Sequence, residues 1–83
     1  MKAVVLGRQS VDYYSEKKQK QVTGTSIFVA YKDTGVEGMR ATDIWVPSDS
    51  SVAIPKFEYG KEYDFVYDGF GRYPKLVEIC AVD

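Results

Sequence analysis

Lys17, Lys18 and Lys20 stand in a segment, residues 15–21, that contains no apolar side chain. Tyr13 and Tyr14 precede it, and Phe28 and Tyr31 follow it. Ammonium groups that track phosphates, beside aromatic faces on which bases stack, are what a protein needs to hold a single-stranded nucleic acid. Stacking uses a π-face and no particular base edge, so such a site tolerates any sequence. Arg8, Lys32 and Arg40 extend the cationic set and are expected nearby if the flanking runs pair. The competing reading is a solvated lysine-rich loop above tyrosines that fill a core, and of these aromatics Phe28 is the one most expected to be core.

Other chemistries have little to work with. There is no histidine, so the usual general base at neutral pH is missing. No phosphate-binding Walker sequence, GxSxG or HExxH occurs, and the chain is expected not to be an enzyme. Asp43, Asp49, Asp64 and Asp68 are spaced as strand-surface and turn residues are. The single cysteine, Cys80, excludes an internal disulfide and any zinc site made of cysteine pairs. It lies in an apolar run and is expected to be a buried, inert thiol. No cofactor or metal is implied. The start, MKAVVLGRQS, lacks the apolar stretch of a secretory leader, and no run nears the ~18 apolar residues of a membrane span. A cytoplasmic protein without a membrane partner is the expectation.

Length and composition set the frame. Eighty-three residues allow one domain, 1–83, with a thin core that a second copy would supplement. At 45% hydrophobic and 28% charged residues the chain is globular and not disordered. Its net charge of −1 hides a segregation. Lys2, Arg8, Lys17, Lys18, Lys20 and Lys32 against Asp12 and Glu16 give residues 1–32 a charge of +4, and residues 33–83 carry −5. One face is thereby suited to an anion and another to solubility.

The positioning elements read as strands. Residues 2–8 form a core strand, with Gly7 as a bulge or bend, and residues 11–14 continue it as one long bent strand. Residues 15–21 make the hairpin tip, since a helix there would have no apolar stripe to bury. Residues 22–33 form the second strand: Ile27, Val29 and Tyr31 share one face, and Phe28, Ala30 and Lys32 the other. Gly24 marks a bulge or a close backbone approach. After a turn at Asp33-Thr34-Gly35, residues 39–47 alternate as a third strand that Pro47 stops. Residues 48–51 suit a helix cap and residues 52–54 a single 3₁₀ turn. Residues 61–67 place Tyr63, Phe65 and Tyr67 on one face. The turn at 68–71 presents Phe70 between two glycines, as a hairpin tip or as an apolar contact for a partner or a base. Residues 73–82 are apolar on both faces and are expected to be a central or interface-buried strand. The fold expected is all-β: a small five-stranded OB-like barrel, or an SH3-like one, with a protruding basic β-hairpin.

These features together resemble the gene V-type single-stranded DNA-binding (helix-destabilising) proteins of filamentous phages. The matching residues are the basic hairpin, Ala30-Tyr31-Lys32-Asp33, Asp43-Ile44-Trp45-Val46, Tyr59-Gly60-Lys61-Glu62-Tyr63 and Gly69-Phe70-Gly71. The resemblance covers nearly all of the chain in short motifs. It implies a homodimer that coats single-stranded DNA in replication, with Tyr31 in the DNA groove and Phe70 contributing. The chain departs from that family in having lysines where its arm uses arginines, and an acidic second half. Lysine meets phosphate as a point charge without guanidinium stacking. Two further classes fit the composition: a protein-interaction adaptor using Tyr63, Phe65, Phe70 and Tyr73, and an RNA-binding domain of cold-shock character, whose aromatic-glycine signature is missing.

Overall fold

In the computed structural model, which describes residues 1–69 and 74–82, five antiparallel strands form one sheet in the order β3-β2-β1-β4-β5. They are β1 (Lys2–Ser15), β2 (Lys20–Tyr31), β3 (Arg40–Pro47), β4 (Glu62–Asp68) and β5 (Lys75–Ala81). β1, β2 and β3 form a meander, and β4 returns to lie beside β1, which is a Greek-key arrangement. The ladder stops at β3 and β5, and among the described residues no hydrogen-bonded pairing closes it into a barrel.

The centre of the sheet is β1, one long strand as the sequence predicts. Val5 pairs with Val29 and Gly7 with Phe28, which leaves Leu6 as the extra residue of a bulge. The bulge changes which residues look inward. Ala3 and Val5 enter the core before it, whereas after it Arg8 lies opposite Ile27 on that side of the sheet. Phe65, Ile27, Val5 and Val29 are the largest fully enclosed side chains, and Ile44 and Val46 of β3 and Ile79 of β5 join the same cluster. Both edges of the sheet therefore curl over one core.

The connection between β3 and β4 closes that core from below. The expected 3₁₀ turn is not there: the Val52 amide donates to Ser50 Oγ at 3.2 Å, and residues 50–58 are irregular. Three apolar residues before Pro55 are too few to sustain a helical turn, and their side chains have a better use. Val52 and Ile54 pack against the core cluster, and Phe57 meets Tyr63 edge-on, with ring centroids 4.9 Å apart. The Tyr63 hydroxyl accepts from the Glu58 amide at 2.8 Å, so the buried phenol is satisfied. Gly60, at φ 92, takes a backbone conformation that a side chain would strain, and its amide donates to the Val5 carbonyl at 2.8 Å.

Three expectations are corrected. Phe28 is not core but 39% exposed, because Ile27 and Val29 face inward and strand alternation turns Phe28 out. β5 is not central but an edge strand. Its alternation is also broken: Val66 pairs with Glu78 and Tyr67 with Leu76, leaving Val77 bulged. Leu76 and Ile79 thus both reach the core, while Val77 is turned out. Cys80, expected to be buried, is half-exposed.

Gly24 is explained by a close approach and not by a bulge. A Cβ there would lie 2.6 Å from the Val46 carbonyl oxygen and 2.7 Å from two ring carbons of Trp45. At Gly7 a Cβ would meet only a Phe28 ring carbon at 3.9 Å, an ordinary contact. Gly24→Ala is therefore expected to destabilise the fold by about 1–3 kcal/mol, and Gly7→Ala by less than about 1 kcal/mol, in urea unfolding followed by circular dichroism. Phe65→Ala should cost about 3–5 kcal/mol, a large share of the roughly 4–12 kcal/mol available to a chain of this size.

Candidate nucleic-acid interface

The basic hairpin exists and projects. β4 pairs with β1 no further than Val4, and β3 reaches β2 no further than Gly24. Tyr13 to Ser15 and Lys20 to Val22 consequently pair only with each other. Residues 16–19 form the turn, narrower than the expected 15–21. The Lys18 amide donates to Ser15 Oγ at 3.3 Å, and Gln19 takes a left-handed conformation with φ 52. Gln21 donates to Asp12 across the pair, tying the base of the arm.

Pairing across the arm sorts the aromatics by face. Tyr13 lies opposite Val22, and Tyr14 opposite Gln21, so neighbouring tyrosines point to opposite sides. Both are exposed. Tyr13 shares the outer face with Phe28. Tyr14 shares the inner-side face with Tyr31, which is only partly buried and packs against the core cluster. No one face holds all the sequence-predicted aromatics. Phe70 lies outside the described residues.

The cations divide as well. The twelve residues of β2, at about 3.3 Å each, separate its two ends by roughly 35–40 Å. Lys17, Lys18 and Lys20 sit at one end. Lys32 and Arg40 sit at the other, not nearby as expected, and Arg8 lies between them opposite Ile27. Arg40 already holds Asp33 in an ion pair of 2.6 Å, whereas Lys32 is exposed. The correct strand pairing sets this separation, because Lys32 follows the end of β2 farthest from the tip. Four acids, Glu62, Asp64, Asp68 and Glu78, lie on β4 and β5, while Asp12 is on β1, Asp43 on β3 and Asp49 just beyond it. The segregation of charge along the sequence is thus only partly kept in space, with Asp43 and Asp49 on the basic side and Lys75 on β5.

At the tip the structure adds a residue that the lysine-and-tyrosine pattern missed. An open groove of ≈490 Å³ is lined by Lys18, Lys20, Val22, Trp45, Pro47 and Asp49, among others. Its floor is tied where the Ser48 amide donates to the Thr23 carbonyl at 3.0 Å and the two side-chain hydroxyls meet at 2.6 Å. Trp45 projects between Ile44 and Val46, both buried, and is itself 40% exposed. Its alternation with Ile44 and Val46 is the sequence signal that places it on the outer face. Its nearness to the lysines follows only from β2–β3 register.

Among the described residues no three of the His, Cys, Asp or Glu type gather as metal ligands, and no helix is long and apolar enough to cross a membrane. Cys80 has its pKa raised, first by the Glu78 carboxylate that accepts from the thiol, then by desolvation and by the charges of Glu78 and Asp64. Comparison with protein-family models, curated proteins and solved structures finds no match.

A raised pKa leaves less thiolate at a given pH, and the thiolate is the nucleophile. Cys80 should therefore react with a disulfide reagent at pH 8 more slowly than free cysteine. Glu78→Gln should accelerate it, and an unchanged rate would remove Glu78 as the cause.

Proposed function

We propose that the chain is a sequence-tolerant single-stranded DNA-binding protein, an open OB-like barrel that works as a homodimer in the DNA replication of a phage or mobile element. The observation that carries this reading is the projecting hairpin tip, whose Lys18 and Lys20 share a groove with an exposed aromatic residue. Cations and π-faces within one open groove suit a flexible anionic strand with unpaired bases. The acidic β4–β5 side opposes non-specific wrapping and keeps the contact to one side.

The barrel reading is supported by the Greek-key strand order, since an OB-fold is a five-stranded, partly open Greek-key barrel. The two edges draw near across a groove of ≈430 Å³ lined by Trp45 and Val46 of β3, by Lys75 and Leu76 of β5, and by the loop between β3 and β4. That is where the seam of an incompletely closed barrel belongs. The phage setting and the dimer rest on the resemblance in sequence. Of the residues the adaptor reading would use, Tyr63 and Phe65 are buried in the core, and Phe70 and Tyr73 lie outside the described residues.

Titration of labelled oligo-dT and of duplex DNA by fluorescence anisotropy at two salt concentrations tests the reading. Oligo-dT should bind more tightly than duplex, with a log–log salt slope of about −0.7 per phosphate contact. Replacing Lys17, Lys18 and Lys20 together with Ala should weaken binding about tenfold or more and flatten that slope. Absence of oligo-dT binding at low salt ends the proposal; unchanged binding by the triple variant moves the site off the tip. For the dimer, sedimentation should give twice the 9.4 kDa chain mass, and a monomer at micromolar concentration would contradict it.

A further inference from the structure

Trp45 is the chain's only tryptophan, and it stands on the solvent face of an edge strand, where nothing in the core requires it. Its inward neighbours Ile44 and Val46 supply β3's share of the core. The place is nevertheless prepared. Two carbons of the six-membered ring rest where a side chain at position 24 would begin, so the missing Cβ of Gly24 is what lets the indole settle on β2. Gly24 pairs with Pro47, and the Thr23–Ser48 contacts hold the strands together at that point. The ring is thus seated against backbone on one side and open on another, beside Lys18 and Lys20. Asp49 is the groove's acid, and it disfavours a phosphate on its own side.

From this arrangement we infer that Trp45 is the base-stacking surface of the tip groove: one unpaired base lies on the indole while the adjoining phosphates meet Lys18 and Lys20. The inference rests on the single-stranded DNA reading and deepens it. It replaces Tyr31 as the leading aromatic, because Tyr31 is at the far end of β2 and packs against the core. Phe28 and Tyr13 continue the same outer face along β2 and β1, two and four residues from the Trp45 row in the ladder. A strand leaving the indole therefore has further aromatic surface in either direction.

Because no other tryptophan contributes, its emission reports on this position alone. Titrating the wild-type chain with labelled oligo-dT while following both anisotropy and tryptophan emission separates the two claims. The expected result is quenching that saturates together with anisotropy, and no quenching by inorganic polyphosphate, which offers charge without bases. Trp45→Leu should weaken oligo-dT binding by about 5- to 100-fold, whereas Trp45→Phe, which keeps a π-face, should lose less than Trp45→Leu. Circular dichroism melts identify a variant that has failed to fold, and the wild-type quenching then decides alone. Anisotropy change without quenching overturns the role of Trp45 and leaves the DNA reading standing. No anisotropy change at low salt overturns both.

Discussion

The structure depends on one strand being shared unequally between two partners. β1 pairs with β4 through its first residues only, but with β2 along almost its whole length. Where β4 leaves, the sheet continues as a narrower ribbon, and where β3 also ends at Pro47, only the hairpin remains. A two-stranded ribbon has no hydrophobic face to bury and is marginal by itself, so its side chains are mostly polar or exposed, with Val22 partly covered. The tip extends a ladder anchored in the core by Val5, Ile27 and Val29. Scaffold and arm are a single pair of strands.

The bulge at Leu6 gives that sharing its consequence. Without it, the inward face of β1 would continue through Gly7; with it, Leu6 and Gly7 both turn toward Phe28, and Arg8 takes the row of Ile27. The outer face of the three-stranded half thus gathers Leu6, Phe28, Ala41 and Trp45, and the charged residues of β4 and β5 are kept apart from it. Lysines concentrate at the tip and acids on β4 and β5, and the surface between carries Arg8 and Asp43 beside its apolar side chains. Such a layout steers an anion toward one end of the molecule before any specific contact forms.

Much of this was legible in the sequence, for identifiable reasons. A segment without apolar residues between two β-branched runs specifies a hairpin; the turn at Asp33-Thr34-Gly35 follows the end of β2, and Pro47 ends β3, as expected. The failures have physical causes too. Val77 bulges without a glycine to announce it, so the alternation of β5 read as two apolar faces. Phe28 looked like core because hydrophobicity does not say which face is inward; Ile27 and Val29 decide that. Sequence proximity to a paired strand does not bring Lys32 and Arg40 near the tip, because pairing joins strands side by side while distance along a strand grows by about 3.3 Å per residue. Trp45 went unnoticed as a site residue because its neighbours, Gly24 and the tip lysines, come from another strand.

On the proposed function, a single-stranded nucleic acid is held at the tip groove and not elsewhere on the sheet. Backbone amide chemical shifts, recorded while oligo-dT is added to the folded chain, test this most directly. The largest changes are expected on residues 17–24 and 45–49, with β4 and β5 little affected. Changes concentrated on β4 and β5, or spread evenly over the sheet at equal size, would contradict it.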